Sequence, residues 1–363
     1  MRGEVDPQSS MFHYFSVESR IPADHPLRRV KKLAESALSA ISAELDGLYA
    51  RTGRPSIPPE RLLKAQLLIA FYSVRSDRLF CEQLDYNLLF RWFLDLDLES
   101  GGLDQSNFSR LRERLVETDI ARRFFDEVVR LARKDKLLSS DHFTVDGTLI
   151  DAWASFKSFK RKDDDEPPKP GDGTGMVDFK GEKRSNATHQ STTDPDAKLM
   201  RKGNGQPAKL SYGGHALMEN RSGLCVDLLI TDATMAEHQA ARQLLTRARR
   251  RKIHPKTLGA DKGYHVKDFV QHLREHEIKP HIARIDGRKT PGLDGRTSCT
   301  EGYKISMRKR KRVEEIFGWL KTVGGMRKTR FIGEARTQIA AYLSAAAYNL
   351  LRIAKLQSAG SAA

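Results

Sequence analysis

Phe143-Thr-Val-Asp146-Gly-Thr-Leu-Ile-Asp151 has the β-branched and aromatic composition of a short β-strand. Gly147 within it marks a turn or a place where something approaches the backbone closely. The chain before this stretch reads as helical, and the chain after it as a mixed α/β region. Asp146 stands in the middle of an otherwise apolar run. An unpaired carboxylate there costs on the order of several kcal/mol or shifts its pKa. Such an acid is either a salt-bridged structural group or a ligand for a cation, and on this stretch alone the two readings stand level.

Upstream, Leu27, Val30, Leu33, Leu38 and Ile41 give one apolar face of a helix from Pro26 to about Ala50. The basic turn Arg51-Thr-Gly-Arg-Pro-Ser closes it. Pro58-Pro59-Glu60 suits the first turn of the next helix, about Glu60–Tyr72, where proline's missing N–H does no harm. That helix is apolar nearly all round, so it belongs at the centre of a helical domain. Shorter helical pieces follow at Leu79–Asp85 and Leu88–Phe93. Asp104-Gln-Ser-Asn-Phe-Ser109 then caps a helix carrying Arg110, Arg112 and Arg114. A short helix, a turn and a capped basic helix outline a helix-turn-helix, a weak signal that many helical domains share. DNA contact by these arginines and a plain solvated face are equally good readings. A helix at about Asp119–Lys136 leads into the strand. At the N-terminus, the Met11–Phe15 cluster reads as an arm that packs on something else.

Downstream, residues 157–209 are rich in Lys, Asp, Gly, Pro, Ser and Thr, with Asp163-Asp-Asp-Glu-Pro-Pro as the most polar run. This composition predicts a long mobile excursion, because it buries too little apolar area to order itself. Strands Leu210–Met218 and Leu224–Ile230 follow, joined by a hairpin turn ending at Gly223. Glu237–Arg250 is an amphipathic helix. Thr257-Leu-Gly-Ala-Asp261-Lys-Gly263 is a second short apolar strand that ends in an aspartate and a glycine turn. A helix at Val266–His276, a strand at Lys279–Ala283 and a glycine-rich loop at Asp286–Glu301 come next. Helices at Met307–Thr322 and Thr337–Leu356 close the chain, the last packed on the sheet.

The 363 residues suffice for two domains, and a 39% hydrophobic content builds real cores. A net charge of +16, with pI near 9.7, points to a polyanion partner. Cys81, Cys225 and Cys299 have no zinc spacing and form no disulfide framework, which suits reduced thiols in a cytoplasmic protein. Met-Arg-Gly-Glu-Val-Asp-Pro lacks the apolar core of a signal peptide. The most apolar stretch, Ile339–Ile353, is interrupted by Asn349 and Arg352 and is too short to span a bilayer. A membrane role is not expected.

The strand with Asp146 and the later strand that ends in Asp261 can lie side by side and point both acids at one edge. A helix can bring Glu314 or Glu315 to the same place. Three carboxylates from separated elements are what a pair of Mg²⁺ ions needs, since each ion takes one or two protein carboxylates and leaves room for phosphate and water. Two such ions polarise the attacking and leaving oxygens of a phosphodiester. Acids for metal inside a basic protein that holds DNA is then a consistent plan. Between the two glutamates, helical geometry chooses. At 100° per residue, Val313, Ile316, Phe317 and Leu320 share the packed face, Glu314 borders it near Arg310 and Lys321, and Glu315 points to solvent.

With these motifs in place, the chain resembles bacterial insertion-sequence transposases of the DDE type, specifically the insertion-sequence-five family. The resemblance is carried by Val145–Ile150, Ser191–Ala197 with Arg201-Lys-Gly203, Ala260–Tyr264, Arg310–Lys321 and Tyr348-Asn-Leu350, and it covers essentially the whole chain. It implies a ribonuclease-H-like catalytic core (a mixed sheet with flanking helices), here an α/β domain at 138–356 with a mobile polar insertion at about 157–208. An all-helical DNA-binding domain at 1–137 precedes it, and a disordered tail at 357–363 follows. It further implies metal ligation by Asp146, Asp261 and Glu314, with Mg²⁺ as two ions and Mn²⁺ able to substitute. Arg310 and Lys321 fit the family's Tyr-Arg-Glu-Lys signature and would contact phosphates; Met307 stands where that signature has tyrosine. The implied partner is double-stranded DNA, both element ends and target, bound by a homodimer in the nucleoid-associated cytoplasm. His215, Thr234 and His238 lie beside the core strands and are read as satisfied polar groups. Trp153 and Trp319 are read as core packing rather than base stacking. A transposase-derived DNA-binding protein without catalysis, and a nuclease that cuts without joining, are the other classes the residues permit.

Overall fold

The computed structural model describes residues 15–47, 56–115, 118–162, 184–203 and 205–360. Up to the Asp146 strand the described chain is helical. A single turn, α1 (Val17–Arg20), precedes α2 (Leu27–Ala40) and α3 (Ser42–Asp46), so the helix expected over 26–50 breaks at Ile41. The basic turn at 51–55 and most of the Met11–Phe15 arm lie outside the described residues. In α4 (Pro59–Phe71) proline occupies the first turn, and even Lys64 and Gln66 are buried. Lys64 remains charged-paired because its ammonium reaches Asp95 and Glu35. Next come α5 (Asp77–Tyr86), α6 (Leu88–Phe93) and α7 (Gln105–Arg114). Each starts on a side chain that accepts a free backbone N–H, from Ser76, Asn87 and Asp104 respectively. The amphipathic α8 (Ile120–Lys134) completes this half.

The second half is built on β1 (His142–Asp151), β2 (Phe159–Arg161), β3 (His189–Ser191), β4 (Lys198–Met200), β5 (Lys209–Glu219) and β6 (Leu224–Asp232). Then follow α9 (Glu237–Arg250), β7 (Thr257–Ala260), α10 (Lys267–Glu275) and β8 (Lys279–Ile282). The chain ends with α11 (Gly295–Ser298), α12 (Glu301–Lys309), α13 (Val313–Thr322) and α14 (Glu334–Gly360). The main sheet runs β6-β5-β1-β7-β8, with β4 paired to the first residues of β5. Pairing is antiparallel from β6 through β1 and parallel from β1 through β8. This is a mixed α/β region, as the residue patterns predict.

Three local differences have physical causes. Residues 184–203 of the polar stretch contain β3 and β4, although their composition denies them an apolar core. Hydrogen bonds replace it: Ser158 and Ser191 hydroxyls meet at 2.7 Å, and the Tyr212 hydroxyl donates to the buried Asp194 at 2.6 Å. Residues 157–162 are likewise held in a 3₁₀ turn and β2, whereas the acidic run from Asp163 lies outside the described residues. The expected loop at 286–301 contains α11, capped by Asp294. The helix expected over 307–322 starts earlier, at Glu301, and is interrupted by a 3₁₀ turn at Arg310–Arg312.

Helix α14 packs on β6 and on α2, α4 and α8, joining the two halves into one apolar core. It also completes the sheet's edge. Asn349 accepts from the Cys225 N–H and donates to the Cys225 carbonyl, and Gln338 does the same for Ile230 and Leu228. Two side-chain amides thus satisfy backbone groups that an exposed edge strand would leave open. On the same strand Asp227 is buried and meets Arg251 at 3.0 Å; Arg251 also donates to Asp126 of α8 at 2.6 Å.

Candidate active site

Strands β1 and β7 run parallel with His142 opposite Thr257 and Thr144 opposite Gly259. Extending that register by two residues sets Asp146 beside Asp261, where β7 has just ended at Ala260. Beyond that point β1 runs on without β7 until Lys328 bridges it in parallel at Asp151, leaving a notch past the carboxyl end of β7, where open α/β sheets bind ligands. The two acids are held alike. Asp146 accepts from the Gly147 N–H at 2.8 Å, and Asp261 accepts from the Gly263 N–H at 2.8 Å. Each uses one oxygen to fix its own turn.

Helix α13 brings the remaining sequence-predicted groups. Val313, Ile316, Phe317 and Leu320 are its buried residues. Glu314 is exposed and enters no ion pair among the described residues, whereas Glu315 pairs with Arg312 and Arg352, each at 3.5 Å. Glu315 therefore does not simply face solvent; it ties α13 to α14. Lys321 donates to the Thr148 hydroxyl at 2.6 Å, and Thr148 lies on the same face of β1 as Asp146. Arg310 sits in the 3₁₀ turn rather than on the helix, with its Nε buried and unpartnered and its Cβ beside Gly259. On α7, Arg110 and Arg114 are exposed. Arg112 turns inward instead, paired with Asp77 and Glu113 and stacked 5.1 Å from the Phe331 ring.

The charges in the notch strain against one another. Burial pushes Asp146 up to about 6; the negative charges of Asp261 and Glu314 add to this, while the Gly147 N–H and Arg310 offset it. A fourth acid, Glu237 in the first turn of α9, is pushed up to about 7 by burial and by Asp261 and Asp146. Carboxylates that are buried and repel one another suit a hard divalent cation with oxygen ligands. Among the described residues no group of three or more His, Cys, Asp or Glu closes on a common point.

Sequence reasoning missed Glu237, because an acid in the first turn of a helix looks like an ordinary dipole partner. The one available signal was Gly147, whose missing side chain leaves room for the Glu237 carboxylate and the His215 ring. His215 is buried and lowered to about 4 by burial. Thr234 is held by Asp232, while His238 is half-exposed and lowered first by burial. Trp153 departs from the expected core packing. It is 53% exposed, with the Lys328 ammonium 5.4 Å from its ring, because the chain leaves the sheet after Asp151. Trp319 is half-buried, edge-on to Tyr348.

Residues 15–114 match the transposase domain (DUF772), and residues 179–350 match the transposase DDE domain. Strand β1 with Asp146 lies between the two. No curated protein matches the chain. Among solved structures it is similar to the piggyBac transposase synaptic complex with hairpin DNA, at 12% identity and TM-score 0.44, over 93% of this chain and 76% of that one. It is also similar to the Mos1 transposase paired-end complex with left transposon end, at 12% identity and TM-score 0.21, over 76% and 81%. Described residues include no helix long and apolar enough to cross a membrane. Both matched regions are transposase domains, the second of the DDE type, and they make this chain a transposase that acts on DNA.

Proposed function

We propose that this transposase belongs to the bacterial insertion-sequence-five family, binds the terminal inverted repeats of its element as a homodimer, and cuts and joins DNA. In this reading the mixed sheet is a ribonuclease-H-like core spanning 138–356, and residues 1–137 are the DNA-binding domain. Asp146, Asp261 and Glu314 hold two Mg²⁺ ions, for which Mn²⁺ can substitute. Bound there, the ions would polarise the scissile phosphate and activate the attacking oxygen, first of water and then of the freed 3′-hydroxyl. The chain's own cations flank that chemistry. Lys321, held over β1 by Thr148, and Arg310 beside Gly259 stand ready for non-bridging phosphate oxygens, where fixed positive charge favours an anionic transition state. Arg110 and Arg114, exposed on α7, are placed to contact duplex backbone. Arg112, paired with Asp77, positions that helix and reaches DNA only at the expense of its ion pair.

The observation that carries this reading is the β1–β7 register, which continued past Thr144 and Gly259 brings Asp146 beside Asp261, whose charge adds to the raising of Asp146. The test is nicking of a DNA fragment bearing the element's ends, with Mg²⁺ or Mn²⁺. Asp146→Asn, Asp261→Asn and Glu314→Gln should each reduce cleavage to background while DNA binding survives. Full cleavage by any of the three would remove that residue from the site. Joining of the cut ends to a target plasmid separates a transposase from a nuclease.

A further inference from the structure

Glu237 is carried by α9 to the opposite side of β1 from α13, and glycines make room for it. A Cβ built on Gly147 would stand 2.9 Å from Glu237 Oε1 and 3.1 Å from His215 Nδ1. A Cβ on Gly263 would stand 3.2 Å from Glu237 Oε2 and 3.1 Å from Asp261 Oδ1. One carboxylate thus bridges the glycine that follows Asp146 and the glycine that fixes Asp261. His215, opposite Gly147 in the β1–β5 register, is 3% exposed. Its protonation follows from its neighbours. The Thr231 hydroxyl donates to the Asp232 carbonyl at 2.9 Å, so at its 3.0 Å contact with His215 Nε2 it can only accept. This pattern assigns the ring proton to Nε2 and leaves Nδ1 as the lone pair. That lone pair is buried without a partner and faces the same spot as Glu237. A buried acceptor needs a donor, and a water in the shell of a cation held by Glu237 and Asp261 is one.

We propose that Glu237 is a fourth metal-holding carboxylate, binding a divalent cation together with Asp261, with His215 accepting a hydrogen bond from that cation's water. This rests on the metal-dependent reading above and adds to it a ligand on α9. His215 is a positioning residue in this arrangement.

The experiment is titration of the full-length protein with Mn²⁺, without DNA, following free Mn²⁺ by electron paramagnetic resonance. Glu237→Gln keeps the side-chain shape and removes the charge, and should weaken Mn²⁺ binding at least about tenfold, equivalent to about 1.4 kcal/mol. Its melting temperature without metal should stay level or rise. Asp261→Asn is the parallel arm. If Asp261→Asn weakens binding and Glu237→Gln binds as the parent does, this proposal falls and the reading above stands. If both variants bind as the parent does, or the parent binds no Mn²⁺, both fall. Should Glu237→Gln fail to fold, Gly263→Ala serves instead, because its methyl displaces both carboxylates. It should weaken Mn²⁺ severalfold, and parent-like affinity would overturn the proposal. His215→Phe, which removes the lone pair, should leave a smaller loss than Glu237→Gln; an equal or larger loss would make the histidine itself the ligand and overturn the assignment.

Discussion

Two groups of buried acids lie on the same sheet, and their surroundings differ in kind. Asp227 on β6 is buried against Arg251, which also holds Asp126, so helix α8, the sheet and the end of α9 are clamped by one guanidinium. Burial pushes Asp227 and Asp126 up, and Arg251 draws both back. Around Asp146 the added neighbours are further acids, Asp261, Glu314 and Glu237, and among the described residues none of the four enters a salt bridge. A chain with 63 lysines and arginines had cations to place there, and it placed Arg310 near Asp146 without an ion pair. The first cluster uses charge to join elements; the second leaves charge open for something that arrives from outside. The structural acid is present in this fold at Asp227, and the cation ligand is the role proposed for Asp146.

The comparison breaks most visibly at Arg251. Arg251→Ala leaves buried Asp227 unpaired and should destabilise the protein by about 3–5 kcal/mol in denaturant unfolding. Asp146→Asn, by contrast, should leave stability level or higher. Equal losses would make both clusters structural.

A second difference concerns protons. His281, on β8 at the edge of the sheet, is lowered to about 4 by burial and by the charges of His142, Lys279 and Arg274. Both of its ring nitrogens are buried without partners. Between pH about 6.5 and about 4 the unfolded chain binds a proton here that the folded chain refuses, so this contribution to stability is lost as pH falls. Because raised Asp146 and Glu237 act with the opposite sign in an overlapping range, the parent must be compared with His281→Gln. Relative to that variant, the parent should lose stability on acidification through this window; a pH-independent difference would contradict the assignment.

The smallest effect is expected at Glu315. Its two exposed pairs with Arg312 and Arg352 are worth roughly 0.2–1 kcal/mol in all. Glu315→Gln should lower stability within that range and leave DNA cleavage close to the parent's, whereas Glu314→Gln should do the reverse. This pair of variants sharpens the contrast within one helical turn.

Much of this was legible from residue patterns, because the elements that matter are strongly periodic or strongly capped. The span of α9 and the aspartate that ends β7 follow from local sequence, as does Asp104 at the start of α7. The hairpin between β5 and β6 was legible for the same reason, with Gly223 at positive φ in its turn. What escaped depends on contacts distant in sequence. Glu237 is informative only once α9 is laid across Gly147 and Gly263. The strands within residues 184–203 are held by hydrogen bonds to β2, Ser158 and β5 that composition does not reveal. The break at Arg310–Arg312 interrupts a stretch whose helical propensity is continuous, so no local signal marks it. Trp153 is exposed because the strand ends before it, which an apolar residue scale cannot register.

In the metal-binding proposal the acids around Asp146 stay unpaired for a divalent cation, and those around Asp227 do not. Thermal unfolding of the parent, Asp146→Asn and Asp227→Asn with and without Mg²⁺ addresses it directly, since a ligand that binds only the folded state raises the melting temperature. Mg²⁺ should raise the melting temperature of the parent and of Asp227→Asn, whatever the latter's starting stability, and the rise should be lost in Asp146→Asn. A rise in Asp146→Asn equal to that of the parent would contradict it.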